Sequence, residues 1–286
     1  MQTCFVGFLI LTGLASGDEQ FRAPSIPTPL QPLTAEDYEP AARLAQEAMD
    51  RLKEDGFSGF MSEAFSGRSG SLRKSDRAQC EKQLDKIYRL MVARHGRTLD
   101  DIELVRTSTI SRSVLRFTYM MKFERGPILW TLDFYRGEHG MWRWLSFNVG
   151  DDRIDQEFRP GNPSSDANVA ASLARKGIEA IKDGGVSDLL DVVTESERTV
   201  ISMDRDAFEA KFNALHRQAT SALGKPLGEF DLIRTDVLGD SLVRFVYLER
   251  YEFGAIVWKF SFYDVSGQWM WFGLGLNELG YELSGK

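Results

Sequence analysis

Cysteine and histidine are both scarce. The 286-residue chain has two of the first and three of the second. Cys4 sits in an N-terminal apolar run, and if that run is removed Cys80 is left alone. A lone thiol cannot form an intramolecular disulfide, which excludes a disulfide-stapled scaffold. The histidines His95, His139 and His216 form no cluster with metal-ligand spacing. No Gly-rich phosphate loop, HExxH or GxSxG motif occurs either, so no metal and no cofactor is expected. Excess positive charge is missing too. At a net charge of −7, lysines and arginines interleave with acids, which excludes the concentrated basic face that nucleic acid or anionic lipid requires. Finally, no apolar run is long enough to span a bilayer. The longest, Phe5 to Leu14, has the length of a secretory h-region, with Ala15 and Gly17 at the −3 and −1 positions before Asp18. We read residues 1–17 as a signal peptide, leaving no stable membrane span after its removal and a secreted or periplasmic protein. Met1-Gln2-Thr3 carries no Lys or Arg, which keeps an uncleaved anchor or a buried N-terminal segment as alternatives.

What the chain does have is a copy of itself. Leu104-Val105-Arg106-Thr107 returns as Leu232-Ile233-Arg234-Thr235, Arg116-Phe117-Thr118-Tyr119 as Arg244-Phe245-Val246-Tyr247, and Trp130 with Phe134-Tyr135 as Trp258 with Phe262-Tyr263. The offset is a constant 128 residues. A fixed spacing held over about forty residues means two structural copies of one unit. In this alignment Cys80 meets Phe208, which favours a small buried hydrophobe over a reactive thiol. His95 meets Leu223 and His216 meets Tyr88, while His139 falls in an expected hairpin turn.

Within each copy the period changes from helical to strand-like at the same place. Ala41, Leu44, Ala48 and Leu52 follow helical spacing up to Gly56; a short apolar segment follows, then a longer helix through Cys80, Leu84, Ile87, Tyr88 and Met91, with Ser75-Asp76 as its N-cap and Gly96 as its stop. The second copy repeats the plan up to Gly184-Gly185, then Val186 to Val193, then a helix from about Asp204 to Gly224. Beyond those glycines the pattern alternates. Leu115, Phe117, Tyr119, Met121 and Phe123 share one face of a strand. Two-residue hairpin loops at Arg125-Gly126 and Phe253-Gly254 would pair Phe117 with Phe134 and Met121 with Trp130, and Phe245 with Phe262 and Glu249 with Trp258. Trp142 and Trp144, like Trp269 and Trp271, share a face of the last strand. The fold class is therefore α+β: two tandem repeats, each with N-terminal helices packed on a curved four-stranded antiparallel sheet. The segments are a signal peptide at 1–17, a Pro-rich tether at 18–37, repeat one at 38–149, a linker of turn and coil chemistry at 150–166, and repeat two at 167–286.

This order of elements, the glycine-ended long helix, and the meander closing on Gly140-Met141-Trp142 or Gly267-Gln268-Trp269 resemble the NTF2-like (cystatin-related) cone fold, particularly its small exported domains of unknown function. The resemblance covers both copies, roughly residues 38–149 and 167–280. It implies a curved sheet wrapped around helices with a pocket between them, in a superfamily of isomerases, dehydratases, assembly modules and binding domains. The fold therefore does not choose the function. This chain departs from the enzymatic members in lacking a recognisable Asp-His or Tyr-Asp constellation.

Among single residues the sharpest catalytic candidate is Glu249. Parity puts it on the aromatic face between Tyr247 and Tyr251, where the first copy has Met121, and a carboxyl desolvated there would suit general acid or base work. Its place near a hairpin tip favours the plainer reading, a solvated Glu paired with Lys259 or Arg250. Arg116 with Tyr135 and Arg244 with Tyr263, on the opposite face, are read as cross-strand contacts, with anion or carboxylate recognition as the alternative. Trp130 and Trp258 could form a platform for a sugar or apolar ligand, although core packing is the commoner use of such residues. The resulting expectation is an exported, non-catalytic binding or interaction protein whose partner is an unknown protein or a small apolar ligand. Two alternatives stand beside it: an isomerase or hydrolase using the pocket of one cone, and a structural pseudo-dimer joined through Met120, Leu129, Val246, Leu248 and Val257. A buried carboxylate with two or more convergent polar side chains would favour the enzyme.

Overall fold

In a computed structural model the chain is described over residues 35–66, 74–111, 113–137, 140–151, 153–194, 199 and 204–278. The expected signal peptide, nearly all of the tether, His139 and the side chains of the expected N-cap Ser75-Asp76 lie outside the described residues. The rest is α+β in two tandem copies. It divides into two compact units, the first made of residues up to Arg94 with Asp100–Met121 and Pro127–Asp152, the second of His95–Leu99, Lys122–Gly126 and the chain from Arg153 onward.

The first copy opens with helix α1 (Ala35–Ser66), which bends at Gly56, where a φ of 65° suits a residue without Cβ. Alanines at 41, 45 and 48, with Met49 and Leu52, form its buried stripe, and Phe57, Phe60 and Met61 continue it after the bend. Helix α2 (Lys74–His95) leads into strands β1 (Thr98–Ser111), β2 (Val114–Phe123), β3 (Ile128–Arg136) and β4 (Trp142–Gly150), which pair in chain order. Trp130 fills the centre of this sheet, packed on Phe57 and Phe60 at 5.7 and 5.1 Å between ring centroids.

The second copy repeats that plan with α4 (Asn168–Gly184), α5 (Val186–Thr194), α6 (Arg205–Leu223) and strands β6 (Pro226–Leu238), β7 (Leu242–Tyr251), β8 (Gly254–Val265) and β9 (Gln268–Glu278). The bend between α4 and α5 is Gly185, at φ 76°. Asp204 caps α6, its Oδ1 accepting the Ala207 N–H at 3.2 Å. The stretch expected to be coil is partly structured: α3 (Ile154–Glu157) and β5 (Arg159–Pro160) lie in it, with Ile154 and Phe158 buried and β5 adding a fifth strand beside β6.

The duplication reaches single hydrogen bonds. Both long helices stop at a glycine of φ 82°, Gly96 and Gly224. Next to each stop a hairpin glutamate accepts a backbone N–H at 3.1 Å, Glu124 from Arg97 and Glu252 from Lys225. Both sheets are irregular at the same place, between Asp133 and Phe134 and between Ser261 and Phe262. A bulge bends and twists the strand that carries it, which is how each sheet acquires its curvature.

The hairpin register differs from the expected one by two residues. Phe117 faces Leu132 rather than Phe134, Met121 faces Ile128, Phe245 faces Phe260, and Glu249 faces Ile256. In the second copy the loop is Glu252-Phe253, one position earlier than expected, because Tyr251 pairs with Gly254. An even shift leaves every side chain on its expected face. Among the described residues no helix is long and apolar enough to cross a membrane.

Candidate functional site

On α6 the residues Phe208, Phe212, His216 and Thr220 recur every fourth position, so they line one helical face. Phe208 and Phe212 stack at 4.5 Å and Phe212 lies 6.0 Å from Trp258, which orients that stripe toward the sheet. Glu249 and Tyr251 come from alternate positions of β7 and point the same way.

Glu249 is 3% exposed. The plainer reading of a solvated, surface-paired glutamate is therefore corrected: the hairpin tip does not extend beyond the helices at this position, and the carboxyl is enclosed. Its Oε2 accepts the Trp258 indole N–H at 2.8 Å. Its Oε1 lies 3.8 Å from His216 Nε2, too long for a hydrogen bond. Arg250, one residue on, faces the other way and binds Asp231 and Glu229. Tyr251 is buried and its hydroxyl makes no hydrogen bond of ordinary geometry. Burial, and then the neighbouring Glu249 carboxylate, push that phenol above its usual range. Thr220 lies close enough to the phenol to offset part of this, while its own hydroxyl donates to the His216 carbonyl at 3.0 Å. The His216 side chain is 30% exposed.

The other sequence candidates fall elsewhere. Arg116 faces Asp133 rather than Tyr135, and its Nε and Nη2 make a two-point contact with that carboxylate at 2.8 and 3.0 Å. Asp133 also accepts the Ser146 hydroxyl. In the second copy Ser261 replaces Asp133, and Arg244 recovers its anion from the interdomain segment by pairing with Asp155. The guanidinium also lies 3.9 Å over the Phe158 ring. Neither arginine is a cross-strand partner of its tyrosine, because the register is shifted by two. Tyr135 is exposed opposite Val114; Tyr263 is fully buried opposite Leu242, with its hydroxyl bonded to the Phe123 backbone. Trp130 and Trp258 are both fully buried, so neither presents a ring as a platform.

His216, Thr220 and Tyr251 belong to the cluster although the sequence singled out Glu249 alone. A signal was present. The four-residue spacing from Phe208 to Thr220 places His216 on the face that carries the aromatic residues, and β7 parity puts Glu249 opposite that face. Among the described residues no group of three or more His, Cys, Asp and Glu side chains could hold a metal ion.

No family model and no curated protein matches the chain. Among solved structures, a cystatin-like protein from Ruminococcus gnavus is similar over 85% of this chain and 84% of its own, at 9% identity and a TM-score of 0.25, too low to carry an argument.

Proposed function

We propose that the chain is an exported, non-catalytic binding protein of tandem NTF2-like build, in which the first copy is scaffold and the second recognises the ligand. One observation carries the assignment of roles. At matched positions the first copy has Tyr88, Val92, Met121 and Phe123 where the second has His216, Thr220, Glu249 and Tyr251, so a convergent polar cluster exists on one of two otherwise like scaffolds. The element order and the curved sheets support the NTF2-like part, and the apolar run from Phe5 to Leu14 supports export. A thermal-shift screen of small molecules against the full chain and its Glu249→Met variant tests the reading. Hits that raise Tm in the parent and not in the variant are expected; hits indifferent to the variant overturn it.

The enzyme reading keeps a specific observation, because a buried carboxyl with His216 and Tyr251 converging on it meets the criterion set for it. Binding is preferred because one carboxyl oxygen is committed to a core tryptophan and the Glu249 side chain is only 4% exposed, whereas a general base must reach the substrate proton. Conversion of any screening hit, followed by NMR, would reverse that preference.

A further inference from the structure

We infer that the Glu249–His216 edge is a recognition point for a primary ammonium group. This inference rests on the binding reading above and names the chemistry of its ligand. Glu249 Oε1 and His216 Nε2 stand 3.8 Å apart. That gap is too wide for a direct hydrogen bond, but a single atom with two N–H or O–H donors bridges it at about 2.8 to 3.0 Å from each. Charge then selects the donor. Glu249 is buried, and among the described residues His216 is the only basic side chain within ion-pairing distance of it. The indole N–H on its other oxygen is neutral. A buried carboxylate is costly unless it is paired, so a guest that brings its own positive charge gains more here than a neutral one.

The walls agree with that choice. Trp258, Phe212 and Tyr251 are buried around the carboxyl, and His216 and Tyr251 lie 6.1 Å apart between ring centroids. The Tyr251 phenol stands close enough to the Glu249 carboxylate to interact with it, and its oxygen keeps lone pairs that can accept from a group with three donors, as an ammonium has. The His216 side chain is 30% exposed, so the cluster is not sealed on its side. The first copy provides the contrast within the same chain: with Met121, Tyr88 and Phe123 at these positions it offers neither the anion nor the paired acceptors.

The test is an NMR titration of the full chain with methylammonium, read at the Trp258 indole N–H, which is assigned by its loss in Trp258→Phe. Methanol serves as the neutral probe of similar size and tetramethylammonium as the cation without N–H donors. Methylammonium is expected to shift that resonance saturably, methanol not at the same concentration, and tetramethylammonium to bind more weakly. Glu249→Gln should weaken methylammonium by at least about tenfold while the other indole resonances stay in place, as the loss of one charged hydrogen bond requires. His216→Ala, which leaves the buried carboxyl untouched, should weaken it less. A bridging water alone would give no saturable shift with any cation and overturns the inference, as does equal binding by Glu249→Gln or by methanol. If neutral compounds from the thermal-shift screen bind in a Glu249-dependent way while methylammonium does not, the ammonium assignment fails and the binding reading survives. If nothing binds, both fail.

Discussion

Trp130 and Trp258 occupy the same place in two copies of one scaffold, both fully buried, and differ in what their indole N–H meets. Trp258 donates to Glu249. Trp130, with Met121 in place of the glutamate, has no acceptor for its N–H. The scaffold therefore tolerates an orphaned buried donor in one copy, and the carboxyl in the other cannot be explained by a need to satisfy the tryptophan. A buried carboxyl costs more than an unpaired indole N–H. This asymmetry points to a role for Glu249 other than stability.

The largest expected effect comes from removing the two tryptophans. Trp130→Ala and Trp258→Ala should each destabilise their own unit by about 3 to 5 kcal/mol through the cavity left behind. The second should lose about 1 to 3 kcal/mol more, because Glu249 is then buried without its donor. Denaturant unfolding measures both. Equal losses would show that the carboxyl–indole bond adds nothing net, and the contrast between the copies would then reduce to packing.

Exchanging the residues themselves is the next sharper test. Glu249→Met copies the first unit into the second and should change stability by no more than about 1 kcal/mol, since the orphaned N–H it creates is offset by relief of a buried carboxyl. The reverse change, Met121→Glu, should cost about 2 to 4 kcal/mol even though it gives the Trp130 N–H an acceptor, because Tyr88 and Phe123 stand where the second copy has His216 and Tyr251. Adding Tyr88→His should recover part of that loss, and a double-mutant cycle gives the coupling. A stabilising Met121→Glu would mean that the first copy already has room for the polar cluster.

Much of this architecture was legible in the sequence, and the misses have physical causes. The offset of 128 located the helix stops, the strand faces and the aromatic core, because those depend on periodicity and on residue size. The register expected from the sequence differs by two residues because Gly126 and Gly254 have the composition of loop residues. In the structure Gly254 pairs with Tyr251 at the first position of β8, and a Cβ there would stand 2.8 Å from the Leu223 side chain. The glycine marks close approach of the helix end to the hairpin, and no turn dihedral calls for it. Glu249 was found by parity, but its burial was not, since the depth of a hairpin residue depends on how far a distant helix reaches along the strand. His216 was passed over because it has no counterpart in the repeat, although that lack is what marks the second copy as different.

Tyrosine ionisation distinguishes the copies at high pH. Burial raises Tyr119 in the first copy to about 12 and raises Tyr247 and Tyr251 in the second. A phenol whose folded pKa is raised contributes stability that is fully present below its unfolded value near 10 and is lost as pH climbs through the folded value. The second copy has two such groups on β7 where the first copy has Tyr119 with Phe123 on β2, so the second should lose stability more steeply above about pH 10. Tyr251→Phe should flatten that slope and, at neutral pH, change stability by less than about 1 kcal/mol, since it removes a hydroxyl without a well-formed hydrogen bond. Identical alkaline slopes for parent and variant would contradict the assignment of the raised phenol.

The smallest expected effect lies at the hairpin tips, where the copies agree in backbone and differ in the residue that meets the tip glutamate, Arg97 in one and Lys225 in the other. Glu124 accepts the Arg97 N–H and also binds its guanidinium at 2.9 Å, whereas Glu252 accepts the N–H of Lys225. The Arg97 backbone bond first, and then the side-chain bond, lower the Glu124 pKa below its ordinary value of 4.5. A carboxylate with a lowered folded pKa contributes stability above its unfolded pKa, and that contribution disappears as pH falls through the folded one. Glu124→Gln should therefore weaken the protein slightly at neutral pH, with the difference from the parent closing below about pH 4. Because the pair is solvent-exposed, the neutral-pH difference should also shrink in high salt. A Glu124→Gln effect that persists unchanged in acid and in salt would mean that the charge contributes nothing and that Gln fails to reproduce the geometry of the Arg97 N–H bond.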